Sequence, residues 1–145
     1  MKRQEKYKDT TTFHYHNQNP KNRITCDCVK RSISLATGIP YNDVVMGLAE
    51  LQCQTGLDEC EKRLYGQFLE SRGWVKHPQP HKEDGKKYTG KEFCKRLTMM
   101  QPGNVIAHIG GHHIVAILPV RGNYKVHDTW DSTKGCIGNY WTKEE

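Results

Sequence analysis

Ile24-Thr-Cys-Asp-Cys-Val-Lys-Arg-Ser-Ile-Ser-Leu-Ala-Thr-Gly38 is the stretch from which the rest of the chain can be read. Val29, Ile33 and Ala36 recur at the three-and-four spacing of a helix that buries one face, and Leu35 widens the stripe. Asp27 is a candidate N-cap, and Gly38 followed by Pro40 is a stop signal. Cys28 therefore falls in the first helical turn, where free amides and the helix dipole favour an anion and lower a thiol's pKa. The commoner fate of a free cysteine is that of a small buried hydrophobe, so the position needs partners from elsewhere before it carries chemistry.

The chain is 145 residues long, one domain's worth, and its 35% of hydrophobic residues makes it polar but not disordered by composition. Residues 1–22 are rich in Lys, Asn, Thr and His with no apolar core. They read as neither a signal peptide nor a membrane span, and no other stretch is long and apolar enough to span. The expectation is a cytoplasmic protein with a flexible basic segment over 1–22 and a single domain over 23–145. The six cysteines, without a secretory signal, read as reduced thiols, and their spacings contain no pair of CxxC knuckles. The net charge of +6 is compatible with weak nonspecific contact with nucleic acid and reads mainly as a solvated surface. No helix-turn-helix signature, aromatic-interleaved basic motif or phosphate-cradling glycine loop is present.

In chain order, further helices are expected over about Tyr41–Gln52, over Leu57 to about Ser71, and over Thr89–Thr98, the last with Thr89 and Glu92 as a capping box. Trp74-Val75 reads as a short strand. From Asn104 the period becomes extended: Asn104–Ile109, His113–Leu118, Tyr124–Trp130 and Cys136–Trp141 are strand candidates separated by turn residues. Helices first and an antiparallel sheet after them make an α+β arrangement, with the Cys28 helix packed on the sheet.

A thiolate nucleophile needs an imidazole partner, and that imidazole needs a group to hold its tautomer. The strands offer His112, His113, His127, Asp128 and Asp131. With a four-residue turn over Pro119–Gly122, His113 stands directly opposite Asp128, and both side chains point to one face. A two-residue Gly122-Asn123 turn keeps their parity but separates them along the strands, whereas a three-residue loop reverses parity and favours His112. Pro119, a poor residue for a central ladder, argues for the earlier turn and hence for His113.

A cysteine at a helix start, a later His113-Ile114-Val115-Ala116 at the head of an apolar strand, and then Asp128-Thr129-Trp130 resemble the order and motifs of the papain-like cysteine peptidase superfamily. Asp27-Cys28 is similar to the bacteriocin-processing branch, and the whole resembles short papain-like proteins of phage and bacteria. The resemblance covers most of residues 22–141. It implies a cysteine-dependent hydrolase, peptidase or amidase, with Cys28 as nucleophile, His113 as general base and Asp128 as its orienter, acting on a peptide or protein substrate with no cofactor. The family's oxyanion glutamine, five or six residues before the cysteine, is replaced here by Arg23 and Asn22. Asn22, on a shorter arm, is the candidate donor, and Gln18 an alternative.

Two other classes are weighed against the hydrolase. An inactive papain-like binding module is motivated by the missing glutamine. A zinc site or nucleic-acid-binding protein is motivated by charge and by Cys26, Cys28, His112 and His113. Adjacent histidines on a strand point to opposite faces, which disfavours one metal between them, and no metal ligand is assigned.

Overall fold

Val105–Ile109 is buried at every position, the behaviour of a strand covered on both faces. The computed structural model describes residues 2–144 and shows what covers it. In chain order the elements are α1 (Arg3–Lys6), β1 (Phe13–Tyr15), α2 (Cys28–Thr37), α3 (Tyr41–Thr55), α4 (Lys62–Glu70), β2 (Trp74–His77), α5 (Gly90–Met100), β3 (Val105–Ile109), β4 (His113–Val120), β5 (Asn123–Asp128) and β6 (Ile137–Lys143). The six strands form one sheet in the order β1-β5-β4-β3-β6-β2. The arrangement is α+β, as expected.

Strand alternation sorts the core into two layers. Ile106, Ile114 and Ala116 face Ile33, Val44, Leu64 and Phe68 of α2, α3 and α4. Val105, Ala107, Val115, Ile117 and Val126 face the other way, toward Phe93 and Leu97 of α5. Helices thus cover both faces. Among the described residues no helix is long and apolar enough to cross a membrane.

Helix ends follow local chemistry. Gly38 takes a left-handed conformation (φ 78°) and its N–H returns to the Ser34 carbonyl, which closes α2 where the sequence predicts. The Thr89 and Glu92 capping box opens α5 as expected. By contrast, α4 begins at Lys62 rather than Leu57. The Asp58 carboxylate accepts from Cys60 N–H and its carbonyl from Glu61 N–H, so a local turn takes the backbone groups that a helix would have used.

The sheet is mixed rather than antiparallel, and the reason lies in the segment expected to be loose. Phe13–Tyr15 pairs in parallel with β5, and Phe13 is fully buried. His16 N–H bonds the Asp128 carbonyl at 2.9 Å, and Arg3 Nε bonds the Thr129 carbonyl at 2.7 Å. A three-residue strand with polar neighbours leaves almost no periodic signal, so its place in the sheet is not legible from the composition of residues 1–22.

The β4–β5 hairpin turns at Arg121-Gly122, with φ of 54° and 87° and Val120 paired to Asn123. Positive φ at both central residues is the conformation that matches the twist of the flanking strands. None of the three turns weighed from sequence is the one observed. Pro119 pairs with Tyr124 inside the ladder. It is tolerated because β3 reaches only Val105, opposite Ile117, so Pro119 has no second neighbour strand needing its missing N–H.

Candidate active site

The turn decides which side chains meet. With Ala116 opposite His127, the same register continued outward sets Val115 against Asp128 and His113 against Trp130. His113 and Asp128 therefore share parity but stand diagonally, two residues apart along the ladder. Diagonal neighbours are ~7–8 Å apart, within the reach of a long side chain. The imidazole spans that gap, and His113 Nε2 lies 2.5 Å from Asp128 Oδ2.

This bond leaves Nδ1 as the ring nitrogen that can face the sulfur. Cys28 is the first residue of α2 and partly buried. Burial acts to raise its pKa, but hydrogen bonding to His113, the charge of that ring, the Ile114 backbone amide and the Arg31 charge together outweigh it and hold the thiol below its ordinary value. His113 shows the complementary behaviour. Burial acts to lower its pKa, and bonds to Asp128 and Cys28 raise it to about 9. Cys28, His113 and Asp128 are thus electrostatically coupled, the thiol shifted down and the imidazole up in favour of their charged forms. The Trp130 ring packs on the His113 ring with centroids 5.0 Å apart, on the position that the register assigns to it.

Two residues read otherwise from sequence complete the arrangement. Asp27 makes no side-chain cap hydrogen bond to α2. Its carboxylate instead accepts from Arg31 Nε at 2.8 Å, the Tyr41 hydroxyl at 2.7 Å and Asn19 Nδ2 at 3.0 Å. Arg31, one of the charges read from sequence as mainly solvated surface, is buried and reaches from Asp27 to Asp128 Oδ1 at 2.8 Å. The signal for it was the Asp27–Arg31 spacing of four on a helix. Asp128 also accepts from Thr129 N–H, so its two oxygens are fully engaged and its pKa is depressed in spite of burial.

The expected oxyanion donors do not join this group. Asn22 is exposed, with φ of 53°, and its side-chain oxygen accepts from Asn17. It does not line the cleft at Cys28. Gln18 is occupied by His16 and by Ser34 Oγ. His112 is exposed beside the cleft, and Cys26 is exposed. Among the described residues no three His, Cys, Asp or Glu side chains gather to hold a metal ion.

The Cys28 end opens into a cleft of about 310 Å³ between α2, α3 and α4, its walls including Val29, Val45, Leu48, Leu64 and Tyr65. A carbonyl entering it would meet the sulfur at a helix N-terminus, where the free amides of the first turn can take negative charge. Comparison with protein-family models finds no match, and comparisons with curated proteins and with solved structures find no significant match.

Proposed function

We propose that the chain is a cysteine-dependent hydrolase of the papain-like kind, a peptidase or amidase that works through an acyl-enzyme. The observation that carries this reading is the run of contacts from buried Asp128 through His113 to Cys28 at the mouth of an apolar cleft. In it, the Cys28 thiolate attacks the substrate carbonyl carbon and the C=O electron pair moves to oxygen. Protonated His113 then gives its proton to the leaving group, and the sulfur keeps the acyl group. Water, deprotonated by His113, attacks the thioester and returns the thiol. Asp128 holds the ring and stabilises its cationic form.

The apolar cleft walls favour an acyl portion with apolar side chains, as a peptide segment offers. A second reading, a binding module without turnover, is favoured by the position of Asn22 away from the cleft.

Reaction with p-nitrophenyl acetate separates the two. A hydrolase releases p-nitrophenolate in a burst of about one equivalent per chain, leaves an acetyl group on Cys28, and loses both in Cys28→Ser. A binding module gives no burst and no adduct.

A further inference from the structure

The described site supplies a nucleophile, a base and an orienter, but the side-chain amides expected to polarise the carbonyl lie elsewhere. Tyr65, on α4, lines the same cleft as Cys28 and is 3% exposed. Its hydroxyl is hydrogen-bonded to His108 Nε2, from β3. His108 stands directly opposite Ile114 in the β3–β4 ladder, and the Ser32 hydroxyl, one turn on from Cys28 in α2, donates to the Ile114 carbonyl at 3.0 Å. Directly opposed residues lie ~4.5–5.5 Å apart at Cα. Tyr65 thus lines the cleft at Cys28 while its hydroxyl is held by His108, a residue of the neighbouring cavity that Tyr65 also lines.

The proton inventory of the pair gives the hydroxyl its role. His108 is buried and its Nδ1 has no partner. If Tyr65 donated to Nε2, the proton on Nδ1 would be a buried, orphaned N–H donor, which proteins rarely keep. With the proton on Nε2, the imidazole donates to the Tyr65 oxygen, only a lone pair is orphaned, and the hydroxyl hydrogen is left for another acceptor. His108 stays neutral near pH 7, because burial, with help from the charges of Lys62 and Lys76, lowers its pKa to about 4. Burial, and then the Cys28 charge, raise the Tyr65 pKa, so the phenol keeps its proton.

We propose that Tyr65 is the oxyanion donor of this site, with His108 as its positioning residue. The assignment rests on the hydrolase reading above. When the Cys28 sulfur bonds to the carbonyl carbon, the electron pair displaced onto oxygen is met by the Tyr65 O–H and the first-turn amides of α2. No proton is transferred. On collapse the C=O bond reforms and the leaving group departs with the His113 proton.

Two reactions of Cys28 separate this role from structural ones. Alkylation by iodoacetamide displaces iodide and forms no oxyanion, whereas acylation by p-nitrophenyl acetate does. Tyr65→Phe, which keeps the ring, is expected to leave the alkylation rate unchanged and to slow the burst by roughly 10²–10³-fold, the effect of losing one such donor. His108→Leu should slow the burst likewise, and His108→Gln, whose amide can donate in place of Nε2, should restore it at unchanged alkylation rate. An unchanged burst in Tyr65→Phe overturns the assignment while the hydrolase reading stands. Equal slowing of both reactions also overturns it, since the hydroxyl then supports the cleft and not the oxyanion. Rapid alkylation without any burst in the unaltered chain overturns both.

Discussion

Arg31 and Asp128, 97 positions apart in sequence, are joined by a 2.8 Å buried ion pair. The same guanidinium holds Asp27 at 2.8 Å, so one cation on the Cys28 helix serves two buried carboxylates. This ties the Cys28 helix to the strand that carries Asp128, and it fixes their relative position through a planar fork that a lysine could not reproduce.

Removing that cation would strand two buried anions. Arg31→Met is expected to destabilise the fold by about 3–5 kcal/mol, the range for breaking a buried pair from one side. Urea denaturation measures it. A loss below about 1 kcal/mol, the size of a surface pair, would contradict the geometry. Asp27 and Asp128 both have depressed pKa values, despite burial, through bonds that include Arg31 and, for Asp128, His113. Their contribution is therefore complete above the ordinary carboxylate pKa of 3.8 and is lost as pH falls through their lower folded values. In Arg31→Met this acid limit should move to higher pH.

The Cys28–His113 pair sets a second pH dependence. Because the thiol lies below its ordinary pKa of 9.0, iodoacetamide should alkylate Cys28 faster than the exposed Cys26, Cys53, Cys60 and Cys136 at neutral pH. His113→Ala removes the hydrogen bond and charge that oppose burial, and the inflection of the rate against pH should move upward. The raised pKa of His113 means that its own contribution to stability is full below about 6.5 and fades as pH rises through about 9. Uniform labelling of all the accessible cysteines in the unaltered chain would remove the basis for a thiolate at Cys28.

Asp128→Asn keeps the shape of the residue but replaces the acceptor that defines the His113 tautomer. In a triad this substitution lowers kcat by about 10⁴-fold, and a loss of that order is expected in the p-nitrophenyl acetate turnover. A fall of only a few-fold would show that Asp128 serves the fold through Arg31 and not the chemistry.

Phe13 is fully buried beside Val126 and Tyr124, in a segment that composition alone describes as loose. Phe13→Ala should cost about 3–5 kcal/mol, as for other buried phenylalanines. Thermal denaturation would show it, and a change within about 0.5 kcal/mol, typical of surface positions, would mean that β1 adds nothing to the sheet.

Local chemistry was enough to read several parts of this chain from its sequence. The Gly38 stop, the Thr89 and Glu92 capping box, the apolar run Val105–Ile109 and the first-turn place of Cys28 each depend on residues close in sequence. So did the α+β order of elements, since the change of period near Asn104 is itself a local property. His113 and Asp128 could be nominated as a pair because turns of two or four residues both leave them on one face, and Trp130 joined them through the Asp-x-Trp resemblance.

What folding decided is everything that depends on distance between segments. A two-residue shift of register at the Arg121-Gly122 turn changed Asp128 from a direct to a diagonal neighbour of His113, and no propensity in Pro119–Asn123 distinguishes those outcomes. Arg31 reads as a surface charge until Asp128 arrives from a strand 97 residues away. Asp27 reads as a cap until Tyr41 and Asn19 claim its oxygens, and Tyr65 and His108 have no relation along the chain at all. Hydrogen bonds and ion pairs of this kind form only once burial has excluded water and brought their partners within about 3 Å, so their physical cause lies in the tertiary structure.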